Sequence, residues 1–222
     1  MNKVFVAAVA ASFVSGAASA ASISFSDSVS LQSTNWNETA SLSKFDSSLG
    51  TLTSATVTLS GTVSGDVRAE STDAQAATVT LNLSALITAN LFGDSSVSID
   101  VEPISANTLN ATAFDGTLDF GGTSGTTLTG LTASDTDSAT YTGADLAQFI
   151  GTGSFTSDLL AAGSSSGSGA GNLFTAFATS AQATLTVVYE YTPDVAPVPV
   201  PAALPLLGAG LGALAMIRRR AA

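Results

Sequence analysis

The sequence contains no cysteine and no histidine among its 222 residues. Without cysteine the chain forms no disulfide and offers no thiolate as a nucleophile or metal ligand. Without histidine it lacks the side chain that most often moves protons near neutral pH and most often binds transition metals. Any chemistry at a site must therefore come from carboxylates, hydroxyls and the backbone.

Basic residues are also scarce, with six Lys and Arg against 17 Asp and Glu. All the acidic residues lie between Asp27 and Asp194, where Lys44 and Arg68 are the only basic ones, so this segment carries a net charge of −15. Such a surface repels nucleic acid and anionic membranes, which excludes both as partners of this segment. It keeps an exported protein soluble and is also able to attract cations.

Aromatic residues make up only 7% of the chain, whereas Ser and Thr number 61. This composition is typical of strands and turns. Apolar residues alternate with Ser and Thr over residues 23–31, 51–63, 78–83 and 97–101, which predicts half-buried strands. The closing stretch 184–191 is apolar on both faces, so we expect a central strand that pairs with 51–63 or with 23–31.

About ten short strands with turns every 8 to 12 residues predict an all-β fold, an antiparallel β-sandwich. A β-helix is the alternative, but the chain shows no fixed short repeat. Gly65-Asp66 is predicted as a turn, residues 144–150 as a helical turn, and the Ser/Gly-rich residues 161–171 as a loop. Residues 85–92 form either a buried strand or a short helix.

Residues 1–20 read as a secretory signal peptide. Lys3 supplies the positive charge, residues 4–14 form the apolar segment, and Ala18 and Ala20 fit a small-residue cleavage site. We expect cleavage before Ala21. No cysteine follows the apolar segment, so anchoring as a lipoprotein is excluded.

The C-terminus begins with a Pro-rich linker at residues 193–201 and continues as an apolar and basic tail at 202–222. The uncharged run 202–217 measures roughly 24 Å as a helix, short of a hydrocarbon core of roughly 30 Å. Three arginines follow it, which favours a short transmembrane helix with its C-terminal end in the cytoplasm. The tail residues that carry this prediction are Leu204, Leu206, Leu207, Leu211, Leu214, Ile217, Arg218, Arg219 and Arg220.

A plain membrane anchor explains the apolar run and the arginines, but not the Pro-rich motif before them. That motif consists of Val198, Pro199, Val200, Pro201 and Ala202. Together with the tail it resembles a PEP-CTERM sorting signal of the VPLPA type. The resemblance implies a bacterial exosortase, a membrane-embedded enzyme that processes such tails, as a partner, and the inner membrane as a transit site.

The segment between the signals, residues 21–192, resembles the choice-of-anchor E domain. The resemblance rests on residues 45–52 (FDSSLGTL), 114–125, Asp145-Leu146 with 149–153 (FIGTG), and 186–191 (TVVYEY). It implies an exported bacterial domain that is attached to a C-terminal sorting signal. It implies no catalytic residue and no ligand.

Acidic pairs are the remaining candidates for a site. Asp115 with Asp119, and Asp135 with Asp137, are candidate oxygen ligands for Ca²⁺, although no EF-hand spacing is present. The alternative is that they hydrogen-bond to the backbone in exposed turns. A glycosidase needs only two carboxylates, which Asp115, Asp119, Asp135 or Glu102 would supply, but the scarcity of aromatics argues against a sugar-binding cleft.

Two further segments match the consensus sequences of catalytic motifs but lack the residues that these motifs require elsewhere in the chain. Residues 163–167 (GSSSG) spell a nucleophile elbow, which requires a histidine base that this chain lacks. Residues 119–121 (DFG) spell the kinase metal-binding triplet, but no nucleotide loop or catalytic lysine accompanies them. We therefore expect a non-enzymatic protein without a cofactor, exported to the cell surface or to an extracellular matrix such as a biofilm. The alternative is a module that binds exopolysaccharide or calcium.

Overall fold

The structure, a computed structural model, describes residues 20–194. The predicted signal peptide, the sorting motif 198–202 and the tail 202–222 lie outside this range, apart from Ala20. No helix within the described range is both long and apolar enough to cross a membrane. The strands in chain order are β1 (Ala21–Ser33), β2 (Trp36–Ser43), β3 (Gly50–Ser71), β4 (Ala77–Leu91), β5 (Ser98–Val101), β6 (Ile104–Ala111), β7 (Gly125–Tyr141), β8 (Ser154–Gly163), β9 (Ser166–Ser168) and β10 (Leu173–Pro193).

These strands form two sheets. The first has the order β1-β10-β3-β7, and the second has the order β2-β8-β4-β5, with β6 and β9 also paired to β4. Every paired strand runs antiparallel to its neighbour. The predicted all-β, antiparallel fold is therefore confirmed, in the two-sheet arrangement of a sandwich.

The core lies between the two sheets and draws on both of them. In β3 the inward positions Val57, Leu59 and Val63 have no exposed surface, and in β4 the same holds for Leu81, Leu83 and Ile87. Alternation along each strand produces this arrangement, because successive side chains point to opposite faces. Burying each large aliphatic side chain contributes about 1.5–3 kcal/mol.

An aromatic cluster closes one end of the core around Tyr189. The Phe45 and Phe149 rings lie 5.8 Å and 6.2 Å from the Tyr189 ring, both edge-on. The Tyr189 hydroxyl donates a hydrogen bond of 2.9 Å to the carbonyl oxygen of Ser43, and burial raises its pKa. Phe45 and Phe149 belong to the segments that resemble the choice-of-anchor E domain, and both are core residues.

The closing strand β10 is central, as predicted. It pairs with β1 on one side, where Phe25 faces Val187, and with β3 on the other, where Val57 faces Val187. β10 therefore pairs with both of the segments that were predicted as alternative partners, 23–31 in β1 and 51–63 in β3. Val187 has no exposed surface, while Val188 lies half-buried on the opposite face.

The predicted turn at Gly65-Asp66 is wrong, because β3 continues through it to Ser71. Its pairing with β10 is uninterrupted there, with Gly65 opposite Thr179 and Asp66 opposite Ala178. The irregularity appears on the other side, as a bulge in β7 at which Gly130 has a φ of 66°. The Asp66 carboxylate accepts the amide of Gly130 at 2.9 Å, so the residues that suggested a turn support a bulge instead.

Three other local predictions are settled by the structure. Residues 85–92 are a strand up to Leu91 and not a helix. The predicted loop at 161–171 is only partly a loop, because β8 reaches Gly163 and β9 pairs with β4. The helical turn is confirmed as a 3₁₀ helix, Gly143–Gln148. The strands are not uniformly short, since β3 has 22 residues and β10 has 21.

Candidate functional site

Asp115 and Asp119 lie in the loop 112–124 that joins β6 to β7, as predicted for turn residues. Asp115 Oδ1 accepts the amide of Thr117 at 3.1 Å, and Asp119 Oδ1 accepts the amide of Gly121 at 2.8 Å. The other oxygen of Asp115 lies against Gly122, where a Cβ atom would collide with it. Asp119 therefore borders Gly121, and Asp115 borders the adjacent Gly122.

Asp135 and Asp137 do not lie in a turn, which corrects the prediction. They are in β7, opposite Gly61 and Leu59 of β3, and so on the face of the sheet that points towards the core. Both side chains remain exposed because β7 is the edge strand. The structure does not place the pair next to Asp115 and Asp119, and within the described range no three acidic residues are grouped closely enough to hold a metal.

Asp27 and Asp135 lie on the inward faces of the two edge strands of the first sheet. Asp27 lies opposite Leu185, on the inward face of β1, and accepts the amide of Ser41 in β2 at 2.8 Å. Asp135 accepts the amide of Glu102, just after β5, at 3.1 Å. Since β2 and β5 are the edges of the second sheet, each aspartate joins the two sheets at one side of the sandwich. We call Asp27 and Asp135 the edge aspartates.

The outward face of the first sheet carries rows of hydroxyl groups across all four strands. Two complete rows follow from the strand register, and a third row has Val188 as its one apolar member. The rows are Ser26–Thr186–Thr58–Ser138, Ser28–Thr184–Ser60–Thr136 and Ser24–Val188–Thr56–Thr140. We call these twelve residues the hydroxyl face.

Cross-strand hydrogen bonds connect part of the hydroxyl face. Thr56 and Thr140 join through their hydroxyls at 3.0 Å, and the Thr136 hydroxyl donates to that of Ser60 at 3.1 Å. All twelve residues are uncharged, although the segment carries a charge of −15. Adjacent rows are roughly 7 Å apart along the strands and adjacent strands about 4.8 Å apart. The face is thus a neutral, regular array of donors and acceptors.

Glu70 is the buried acidic residue of the structure, with no exposed surface. Alternation places it on the outward face of β3, but the loop 112–124 returns over it. Its Oε1 accepts the hydroxyl of Ser124 at 2.6 Å, and Ser124 is itself buried. Its Oε2 has no hydrogen-bond partner.

Three loops meet beside Glu70, and Asp73 joins them. Its two carboxylate oxygens accept the amides of Gly171 and Asn172 at 2.7 Å and 2.9 Å, and its carbonyl accepts the amide of Phe114 at 2.9 Å. The hydrogen bonds to the carboxylate, led by the one from Gly171, hold the pKa of the Asp73 carboxyl below its usual value. Asp73 thus holds Gly171 and Asn172 through its side chain and the loop 112–124 through its backbone carbonyl.

Residues 163–167, which match the nucleophile-elbow consensus in sequence, lie at the junction of β8 and β9. The Ser165 hydroxyl accepts the amide of Ser84 at 3.0 Å and lies 2.9 Å from the hydroxyl of Thr179. The segment is therefore held as part of the second sheet, without the strand-to-helix turn of an elbow.

No protein-family model matches the chain, and the search of curated proteins finds no match either. Among solved structures, a protein of the T13 IBDV viral particle is similar at 12% identity, with a TM-score of 0.20 over 78% of this chain. A protein of the Gx strain of infectious bursal disease virus is similar at 11% identity, with a TM-score of 0.18 over 78% of this chain. The chain spans 40% and 38% of the lengths of these two proteins. These likenesses carry no argument about fold or function.

Sequence reasoning missed both Glu70 and the hydroxyl face. The pattern around Glu70, with Val67 and Ala69 inward, predicts an exposed carboxylate, and nothing local shows that the loop 112–124, much later in the chain, covers it. The hydroxyl face had a signal in the Ser and Thr alternation of four segments. Its significance depended on the strand order, which brings those segments together.

Proposed function

We propose that the protein is an exported structural protein of the cell surface or extracellular matrix, delivered by a cleaved signal peptide and an exosortase-type sorting tail. The observation that carries the proposal is the position of the fold relative to the two signals. The first strand starts at Ala21 and the last ends at Pro193, so the sandwich fills the segment between the signal peptide and the sorting motif. The resemblance to choice-of-anchor E domains supports the same role.

The proposal assigns the domain no catalytic activity and no cofactor. Its surface is acidic and rich in hydroxyls, and the strongest sequence motifs concern delivery. The processing enzyme would act on residues 198–202, after the last strand and a short Pro-rich linker.

Intact-mass measurement on protein from the surface of a host with an exosortase tests the proposal. We expect a chain that starts at Ala21 and ends between Val198 and Ala202. Pro199→Ala combined with Pro201→Ala changes the motif but leaves the apolar run and the arginines intact. This variant should stay in the membrane with its tail attached. Recovery of the unaltered protein with Arg218, Arg219 and Arg220 still present would show that the tail is a membrane anchor that is not cleaved.

The hydroxyl face favours a second function, the binding of a neutral exopolysaccharide. A neutral sugar polymer presents hydroxyl donors and acceptors along its length, and the face offers the same groups in rows without a charge that would repel or attract ions. The face lacks aromatic rings for stacking, so each contact is weak, and a long polymer that spans several rows would gain affinity through many contacts.

Affinity electrophoresis in gels that contain a neutral or an anionic polysaccharide tests this second function. Thr58→Glu and Thr186→Glu place charge in the middle of the hydroxyl face and should abolish the retardation that the neutral polymer causes. Thr88→Glu is the matched control, since Thr88 is half-buried like Thr58 but lies on the second sheet. Equal retardation of all four proteins, or of none, would remove the hydroxyl face as a binding surface.

A further inference from the structure

The carboxyl group of Glu70 sits in an unusual environment for a charge. It has no exposed surface, one of its oxygens has no hydrogen-bond partner, and none of the hydrogen bonds to it comes from a basic side chain. Taking an ionised carboxylate out of water without a partner costs several kcal/mol. Glu70 Oε2 is therefore a buried polar atom for which none of the described residues supplies a partner.

Glu70 Oε2 lies against Gly125, next to backbone groups of Gly121. A Cβ atom on Gly125 would collide with Oε2 and would lie 2.7 Å from both the nitrogen and the carbonyl oxygen of Gly121. The Gly121 amide already donates to Asp119, so it is not available to Glu70. The Gly121 carbonyl accepts one hydrogen bond, from Gly125 at 2.9 Å, and retains a second lone pair.

Several oxygen atoms belong to the loop that covers Glu70. The Ser124 hydroxyl lies beside Oε1, the Gly121 carbonyl lies near Oε2, and the Asp115 and Asp119 carboxylates border Gly122 and Gly121 in the same loop. Oxygen ligands of this mixed kind, carboxylate, carbonyl and hydroxyl, are those that Ca²⁺ prefers. Because no three acidic residues in the described part of the chain are close enough to hold a metal by themselves, the carbonyl and the hydroxyl must complete the ligand set.

We propose that Glu70 and the loop 112–124 form a binding site for a hard divalent cation of the Ca²⁺ type. Glu70 supplies the buried charge, Ser124 and the Gly121 carbonyl supply neutral oxygens, and Asp115 and Asp119 supply charge at the rim. The cation compensates the buried carboxylate and fixes the loop on β3. This site is independent of the proposed export and of the hydroxyl face.

Thermal unfolding of the protein without its terminal signals, in EDTA and with increasing Ca²⁺ as the only added ligand, tests the proposal. The melting temperature should rise with the logarithm of the Ca²⁺ concentration. Glu70→Gln should abolish this rise, and Asp115→Asn should weaken it. Glu102→Gln is the matched control: it removes an exposed carboxylate of the same kind and should leave the rise unchanged. Titration calorimetry on the unaltered protein should give one Ca²⁺ site per chain. This measurement does not depend on whether the variants fold.

Two results would overturn the proposal. An equal rise in the unaltered protein and in Glu70→Gln would show that Ca²⁺ acts only on the acidic surface. A protein that does not respond to Ca²⁺, with Glu70→Gln at least as stable in EDTA, would show that no cation is bound beside Glu70.

Discussion

At the scale of single residues, aspartates in this protein act chiefly as acceptors for nearby backbone amides. Asp46 accepts the amide of Ser48 at 2.9 Å at the start of a 3₁₀ turn, and in the turn after β4 Asp94 accepts the hydroxyl of Ser96 at 2.7 Å and its amide at 2.9 Å. These hydrogen bonds favour the charged form and lower the pKa of both carboxyls, as happens at Asp73. An Asp followed by Ser and Gly, as in residues 46–50, is typical of a turn.

The lowered pKa of Asp73 predicts a stability that depends on acid pH. A carboxyl with a lowered pKa in the folded state stabilises it above the ordinary value of 3.8, and this stabilisation is lost as the pH falls through the lowered pKa. Asp73→Asn should therefore lower the melting temperature at pH 7, and the difference from the unaltered protein should shrink below about pH 3.8. Melting curves in EDTA between pH 7 and pH 2.5 measure it. A difference that stays constant with pH would mean that the charge of Asp73 plays no part.

Val187→Asp tests the central position of β10. Val187 is fully buried between Phe25 and Val57, so the variant would place an unpaired charge in the core at a cost of about 3–5 kcal/mol. Since such domains have a total stability of about 5–15 kcal/mol, soluble protein should largely be lost. Val188→Asp makes the same change on the outward face and should fold. Accumulation of both variants to the same level would contradict the packing of β10.

At the scale of strands, the sequence predicted those with apolar residues on the inward face and missed those without. The segments of β6 and β7 were not predicted as strands, because many of their inward residues are small or polar, such as Asn107, Ala133 and Asp135. These strands form because longer neighbours, β4 and β3, offer backbone hydrogen bonds along their whole length. Whether such a segment forms a strand depends on the strand that it pairs with, and the local sequence pattern does not show which strand that is.

Gly65 is the opposite case, in which the local sequence suggested a turn within a continuous strand. Its glycine suggested a turn, but the structure needs it where β3 and β10 approach closely, since a Cβ atom would collide with the carbonyl oxygen of Ala178. Gly65→Ala should force the two strands apart and cost about 1–3 kcal/mol. Denaturant unfolding measures this cost. Gly93→Asn is the control, because the space at Gly93 is open and Asn tolerates its φ of 71°. Similar small losses in both variants would contradict the close approach.

At the scale of the whole molecule, composition and alternation were enough to predict two antiparallel sheets around one core, and the identity of the central strand. They were not enough for the candidate site. Glu70 becomes buried only because Asp73 and Ser124 hold a distant loop over it. The pairs Asp115/Asp119 and Asp135/Asp137 look alike in sequence, yet one lies in that loop and the other on an edge strand. Tertiary contacts distinguish them.

The edge aspartates predict how the whole molecule behaves at high concentration. Charged residues that point inward on edge strands oppose the addition of a further strand, and here they also tie the two sheets together. Asp27→Val combined with Asp135→Val should keep the fold, because both positions are at the margin of the core, but should cause concentration-dependent association. Sedimentation velocity of this variant measures the effect, with Asp145→Val, on the 3₁₀ helix, as the control. A variant that stays monomeric would show that the aspartates do not protect the edges.

The central place of β10 also has a mechanical consequence. This strand leads directly into the C-terminal segment, and it is hydrogen-bonded to β1 on one side and to β3 on the other, from Gly50 opposite Pro193 to Ser71 opposite Leu173. If the chain is held by its C-terminal end while a load acts elsewhere on the domain, the tension runs along β10. The bonds of an antiparallel pair are perpendicular to the strands, so this tension shears many of them at once instead of opening them one after another. A protein fastened in this way resists extraction by force at the point where it is fastened.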